Sequence, residues 1–63
     1  MPAKYLTAIL FDASGKPYKY HNIKDSLFHK EKFLKFAKSE HNGVYVNWYD
    51  KESKQFIERS NIS

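Results

Sequence analysis

The chain has no cysteine among its 63 residues, so neither a disulfide nor a thiolate metal cluster can hold it together, and the fold must rest on apolar burial. Two glycines and two prolines leave few positions for special backbone conformations. Arginine is nearly missing as well: ten of the eleven basic residues are lysines, and Arg59 alone offers a planar fork to phosphate or to a base edge. The first uncharged stretch, Tyr5 to Phe11, is seven residues, far short of a membrane span or a secretion signal, so the expectation is a cytoplasmic protein with no membrane association. What is present is a formal charge of +4, 41% hydrophobic residues and 17% aromatics. At this length the reading is one small domain over residues 1–63. A multidomain enzyme is excluded.

Tyr5 to Phe11 (YLTAILF) is rich in aromatic and β-branched residues and runs into Asp12-Ala13-Ser14-Gly15-Lys16, which predicts a strand followed by a tight turn. Gly15 can take the left-handed position that a short bulged hairpin loop needs. Tyr18 to Ile23 is then the antiparallel partner, with Asp12 opposite Lys16, Leu10 opposite Tyr18 and Ala8 opposite Tyr20. Between Lys24 and Glu40 the spacing turns helical: Phe33, Leu34, Phe36 and Ala37 share one side, while Lys32, Lys35 and Lys38 take the other. Asp25 or Ser26 can cap this helix, or His29 can cap a shorter one. Asn42-Gly43 ends it. Val44 to Tyr49 alternates as a strand, with Val44, Val46 and Trp48 pointing one way; Gln55 to Arg59 returns as a fourth strand carrying Phe56 or Ile57 inward, its register open. Residues 60–63 read as a frayed tail.

The pattern is thus α+β: two layers, an antiparallel sheet of three to four strands in the order β-β-α-β-β, and one helix on one face. A single helix covers only one face of a sheet. The even-numbered set (Leu6, Ala8, Leu10, Val44, Val46 and Trp48, with Tyr18 and Tyr20) suits the helix side. The odd-numbered set, containing Tyr5, Thr7, Ile9, Phe11, Lys19, His21, Tyr45, Asn47 and Tyr49, is then open. Which face is open is a choice that the alternation alone leaves reversible.

An open face this aromatic points to binding, because a lone domain seldom exposes a contiguous apolar patch without using it. Tyr5, Phe11, Lys19, His21, Tyr45 and Tyr49 are the candidate partner-binding residues. Lys24, Lys32, Lys35 and Lys38 are the candidate phosphate contacts, although a solvated helix face carries lysines at the same spacing. His21, His29 and His41 lack the spacing of metal ligands, and no nucleophile stands with a base and an orienting group. No catalytic residue, metal or cofactor is assigned.

The hairpin Thr7-Ala8-Ile9-Leu10-Phe11-Asp12-Ala13-Ser14-Gly15-Lys16-Pro17-Tyr18-Lys19-Tyr20-His21 resembles the hairpin of the phage inhibitors of uracil-DNA glycosylase, which also leads into a helix and a strand. It is similar too to the hairpin and helix of the arm-binding domains of phage-type integrases, which read DNA with a sheet. The first resemblance implies DNA mimicry by acidic residues, which a chain of charge +4 does not carry. The second implies three strands before the helix, where this chain has two.

The leading expectation is a small non-enzymatic binding protein, of the inhibitor or regulator type that phages and mobile elements encode, acting on a host or defence protein. A basic nucleic-acid-binding regulator using the open sheet face is the alternative. A homodimeric interaction module is a third.

Overall fold

A computed structural model describes residues 4–62. It contains β1 (Tyr5–Asp12), β2 (Pro17–Lys24), α1 (Leu27–His41), β3 (Gly43–Asp50) and β4 (Phe56–Asn61). The strands form one antiparallel sheet in the order β2-β1-β3-β4, with β1 and β3 central. The helix packs on one face, as the α+β reading expects.

The β1–β2 turn explains the register. The Asp12 carboxylate accepts from the backbone amides of Ser14 (2.9 Å) and Lys16 (3.0 Å), and Gly15 adopts φ +87°. Leu10 therefore faces Tyr18 and Ala8 faces Tyr20, the pairs that the sequence predicts. Further along, Asn22 takes a left-handed φ of 65° and the ladder slips, so that Leu6 faces Ile23. The resulting bulge turns Ile23 toward the core, where strict alternation would have turned it away.

Ser26 caps α1: its hydroxyl accepts from the His29 amide at 3.3 Å, satisfying one of the amides left over at a helix start. At the other end Asn42 sits at φ 54° and its amide reaches Ala37 and Lys38 carbonyls. Leu6, Ala8, Leu10, Val46 and Trp48 are fully buried beneath Ala37, with Tyr18, Tyr20, Phe33 and Leu34 packed around them. The indole of Trp48 donates to Ser60 Oγ at 2.9 Å, so its one polar atom is satisfied in the interior. His41 stacks on Tyr18 with centroids 4.1 Å apart and hydrogen-bonds Tyr20 through Nε2 at 2.7 Å, which ties the last turn of the helix to β2.

Three expectations need correction. Val44 does not join Val46 and Trp48 in the core: β3 slips against β1 at its start, Gly43 pairs with Asp12, and it is Gly43 that lies buried against Leu10 and the Ala37 carbonyl. Neither Phe56 nor Ile57 points inward, since they are 56% and 42% exposed. A slip in the β3–β4 ladder at Ile57 puts Glu58 and Ser60 opposite Trp48 and Val46 on the helix side. Finally, Ser60 and Asn61 are not frayed: they belong to β4, and the Ile62 amide donates to the Val44 carbonyl at 2.8 Å while its side chain packs on the core. Ser63 lies outside the described residues.

Candidate binding face on the helix-free side of the sheet

With the even-numbered side chains of β1 and β3 under the helix, period-two geometry sends Thr7, Ile9, Phe11, Tyr45, Asn47 and Tyr49 to the other face. There the central strands supply rings. Phe11 and Tyr45 are directly opposite in the ladder and stack with centroids 4.9 Å apart. Arg59, from β4, lays its guanidinium 4.4 Å from the Tyr45 centroid and donates through Nε to Asn47 Oδ1 at 3.1 Å. At the other end Tyr49 meets Phe56 edge-on at 5.7 Å. Tyr45 and Tyr49 are four residues apart, so the two ring clusters stand about 13 Å apart along β3.

The edges and the β3–β4 turn supply cations. Lys19 and His21 project from β2, and His21 Nδ1 lies 3.0 Å from Thr7 Oγ1. Lys51 and Lys54 come from the turn, where Lys54 adopts φ 62° and its amide donates to the Asp50 carbonyl at 2.8 Å. Together with Thr7, Ile9 and Tyr49, these basic residues line a groove of about 490 Å³. Among the described residues one carboxylate borders it, Asp50. Its Oδ1 already accepts from the amides of Glu52 (2.8 Å) and Ser53 (3.0 Å), with Lys4 3.7 Å from Oδ2, and these amides, Ser53 first, hold the Asp50 carboxyl below its ordinary 3.8. The groove is therefore basic and its acid is engaged.

Of the six candidate partner-binding residues, Phe11, Lys19, His21, Tyr45 and Tyr49 share this face. Tyr5 stands at its margin: Lys51 lies 5.9 Å from its ring, yet the residue also borders a shallower depression with Phe33 and Phe36 of the helix layer. The candidate phosphate contacts do not join the set. Lys32, Lys35 and Lys38 are exposed on α1, across the sheet from the rings, and Lys24 and Lys32 edge the depression on the helix side. A ligand resting on the rings cannot use them.

The residues that sequence reasoning leaves out of the site are Arg59, Phe56, Lys51 and Lys54. Their membership depends on the β4 register and on the turn before it, which a slip at Ile57 conceals; the lone arginine at the odd position opposite Asn47 is the one signal available. Among the described residues, no group of three or more His, Asp and Glu gathers to hold a metal ion, and no helix is long and apolar enough to cross a membrane. No family model, curated protein or solved structure matches this chain.

Proposed function

We propose that this chain is a non-enzymatic binding protein whose working surface is the sheet face that α1 leaves uncovered. One observation carries the reading: the rings of β1 and β3 and the cations of β2, β4 and the β3–β4 turn fall on one surface, and Asp50, the one carboxylate lining its groove among the described residues, is already engaged. Aromatic and basic side chains gathered this way serve recognition better than stability, which the opposite, buried face already provides. The test is amide chemical-shift mapping during titration with polymeric anions, an oligonucleotide and polyglutamate in separate arms. Shifts confined to Lys19, Tyr45, Asn47, Tyr49 and the turn at Lys51–Lys54 are expected with whichever polymer binds. Shifts centred on Lys32, Lys35 and Lys38 would sink the reading.

Self-association is a second reading, favoured by the exposure of Phe56 and Ile57 on the edge strand β4, whose outer side has no partner among the described strands. Sedimentation equilibrium decides it: a monomer at ~100 μM removes the second reading, because strand-to-strand dimers that matter functionally persist at such concentrations.

A further inference from the structure

Resting on the reading of the helix-free face as the working surface, we infer that its occupant is single-stranded nucleic acid, bound with little sequence preference. The arrangement is a strip of rings with cations on both flanks. Phe11 and Tyr45, stacked on each other with the Arg59 guanidinium over the Tyr45 ring, form one cluster on the central strands, Tyr49 with Phe56 forms another about 13 Å away, and Lys19, Lys51 and Lys54 stand beside them. A single strand presents the complementary pattern, since its unpaired bases offer flat faces to stack on rings while its phosphates run alongside within reach of lysines.

The competing anions fit less well. A duplex keeps its base faces stacked on one another, so the rings would have no base face to receive. An acidic protein surface would satisfy the lysines, but it would have to bring its own side chains to both ring clusters, whereas a single strand supplies a flat face at every base. Arg59 also bears on selectivity. It engages Asn47 Oδ1, the side-chain acceptor at the centre of the face, which takes one base-edge acceptor out of use. The groove of about 490 Å³ between Tyr49 and the turn lysines is where phosphate and sugar would lie.

The experiment uses the full chain with a fluorescein-labelled 12-nucleotide oligothymidylate, the same length of duplex DNA, and inorganic polyphosphate as competitor, read by anisotropy. The expected Kd for the single strand is on the order of 10 μM at ~150 mM salt, and about four phosphate contacts make it weaken roughly 50-fold between ~50 and ~200 mM salt. Tyr49→Ala should weaken it about tenfold, as loss of one stacking platform does. Lys51→Gln/Lys54→Gln, which alters only exposed turn residues, should weaken it and flatten the salt dependence without touching the fold. Duplex binding as tight as the single strand, or polyphosphate displacing the oligonucleotide at equal charge concentration, would overturn the inference and reduce the face to a general anion surface. No oligonucleotide binding, together with polyglutamate shifts on Tyr45 and Tyr49, would overturn it while leaving the face reading intact. Oligonucleotide binding that is lost on Lys32→Gln/Lys35→Gln but kept in Tyr49→Ala would overturn both.

Discussion

Trp48 and Tyr49 are adjacent in sequence and do opposite work, because a strand sends neighbours to opposite faces. Trp48 is fully buried, with Phe33 edge-on at 5.5 Å, Ser60 accepting from its indole and the Lys30 ammonium 5.7 Å from its ring. Trp48→Ala should cost ~3–5 kcal/mol, a large share of what a small domain has, and leave the chain largely unfolded at 37 °C by circular dichroism. Tyr49→Ala should keep a cooperative melt, since its ring is only half-buried, on the helix-free face beside Phe56. A Tyr49→Ala variant that melts as low as Trp48→Ala would mean that the helix-free face holds the fold together as much as the buried one does. At the same scale, Asp12 and Asp50 are turn carboxylates held below their ordinary 3.8, Asp12 chiefly by the Ser14 hydroxyl and the Lys16 amide, Asp50 chiefly by the Ser53 and Glu52 amides. A carboxyl whose folded pKa is depressed adds stability above its unfolded value and loses it as pH falls through the folded one. Thermal stability should thus decline as pH drops below 3.8. Asp50→Asn, which keeps an oxygen for the two amides, should start lower and decline less over that range.

Between elements, helix and sheet approach tightly at Gly43. A Cβ there would lie 3.0 Å from Ile62 Cδ1, 3.1 Å from Leu10 Cδ1 and 3.2 Å from the Ala37 carbonyl oxygen, and the last of these belongs to helix backbone that cannot turn aside. Gly43→Ala should therefore destabilise by ~1–3 kcal/mol through crowding, measurable by urea unfolding with an unchanged slope. The element scale is also where the sequence is most and least legible. The hairpin register can be read because Asp12, Gly15 and the alternation of Leu10, Ala8, Tyr18 and Tyr20 all favour one pairing. The helix can be read from Phe33, Leu34 and Ala37, with Ser26 taking the cap position over Asp25 and His29 once the chain leaves β2. The three ladder slips, at Asn22, at Gly43–Val44 and at Ile57, cannot: each inserts one residue and so reverses which side chains face the helix, and no local composition marks them. That is why strict alternation misses Ile23 and Gly43 in the core, expects Phe56 or Ile57 there, and leaves Arg59 out of the binding face.

At the scale of the whole molecule, the sheet divides the lysines into two populations that net charge cannot tell apart. Lys32, Lys35 and Lys38 lie on the helix layer, whereas Lys19, Lys51 and Lys54 lie on the ring face. Replacing either trio by glutamine lowers the formal charge from +4 to +1, so long-range attraction for a polyanion falls by a similar amount in both. Contact does not. Phosphates of a strand lying on the rings can reach only the second trio, and each lost contact removes one released counterion from the binding equilibrium. The slope of log affinity against log salt should therefore shrink by about 2 in Lys19→Gln/Lys51→Gln/Lys54→Gln and stay near the parent value in Lys32→Gln/Lys35→Gln/Lys38→Gln. All six side chains are exposed, so both variants should melt close to the parent and a difference in slope cannot be blamed on folding. Equal slopes in the two variants would show that the chain attracts polyanions as a charged particle, with neither layer acting as a site.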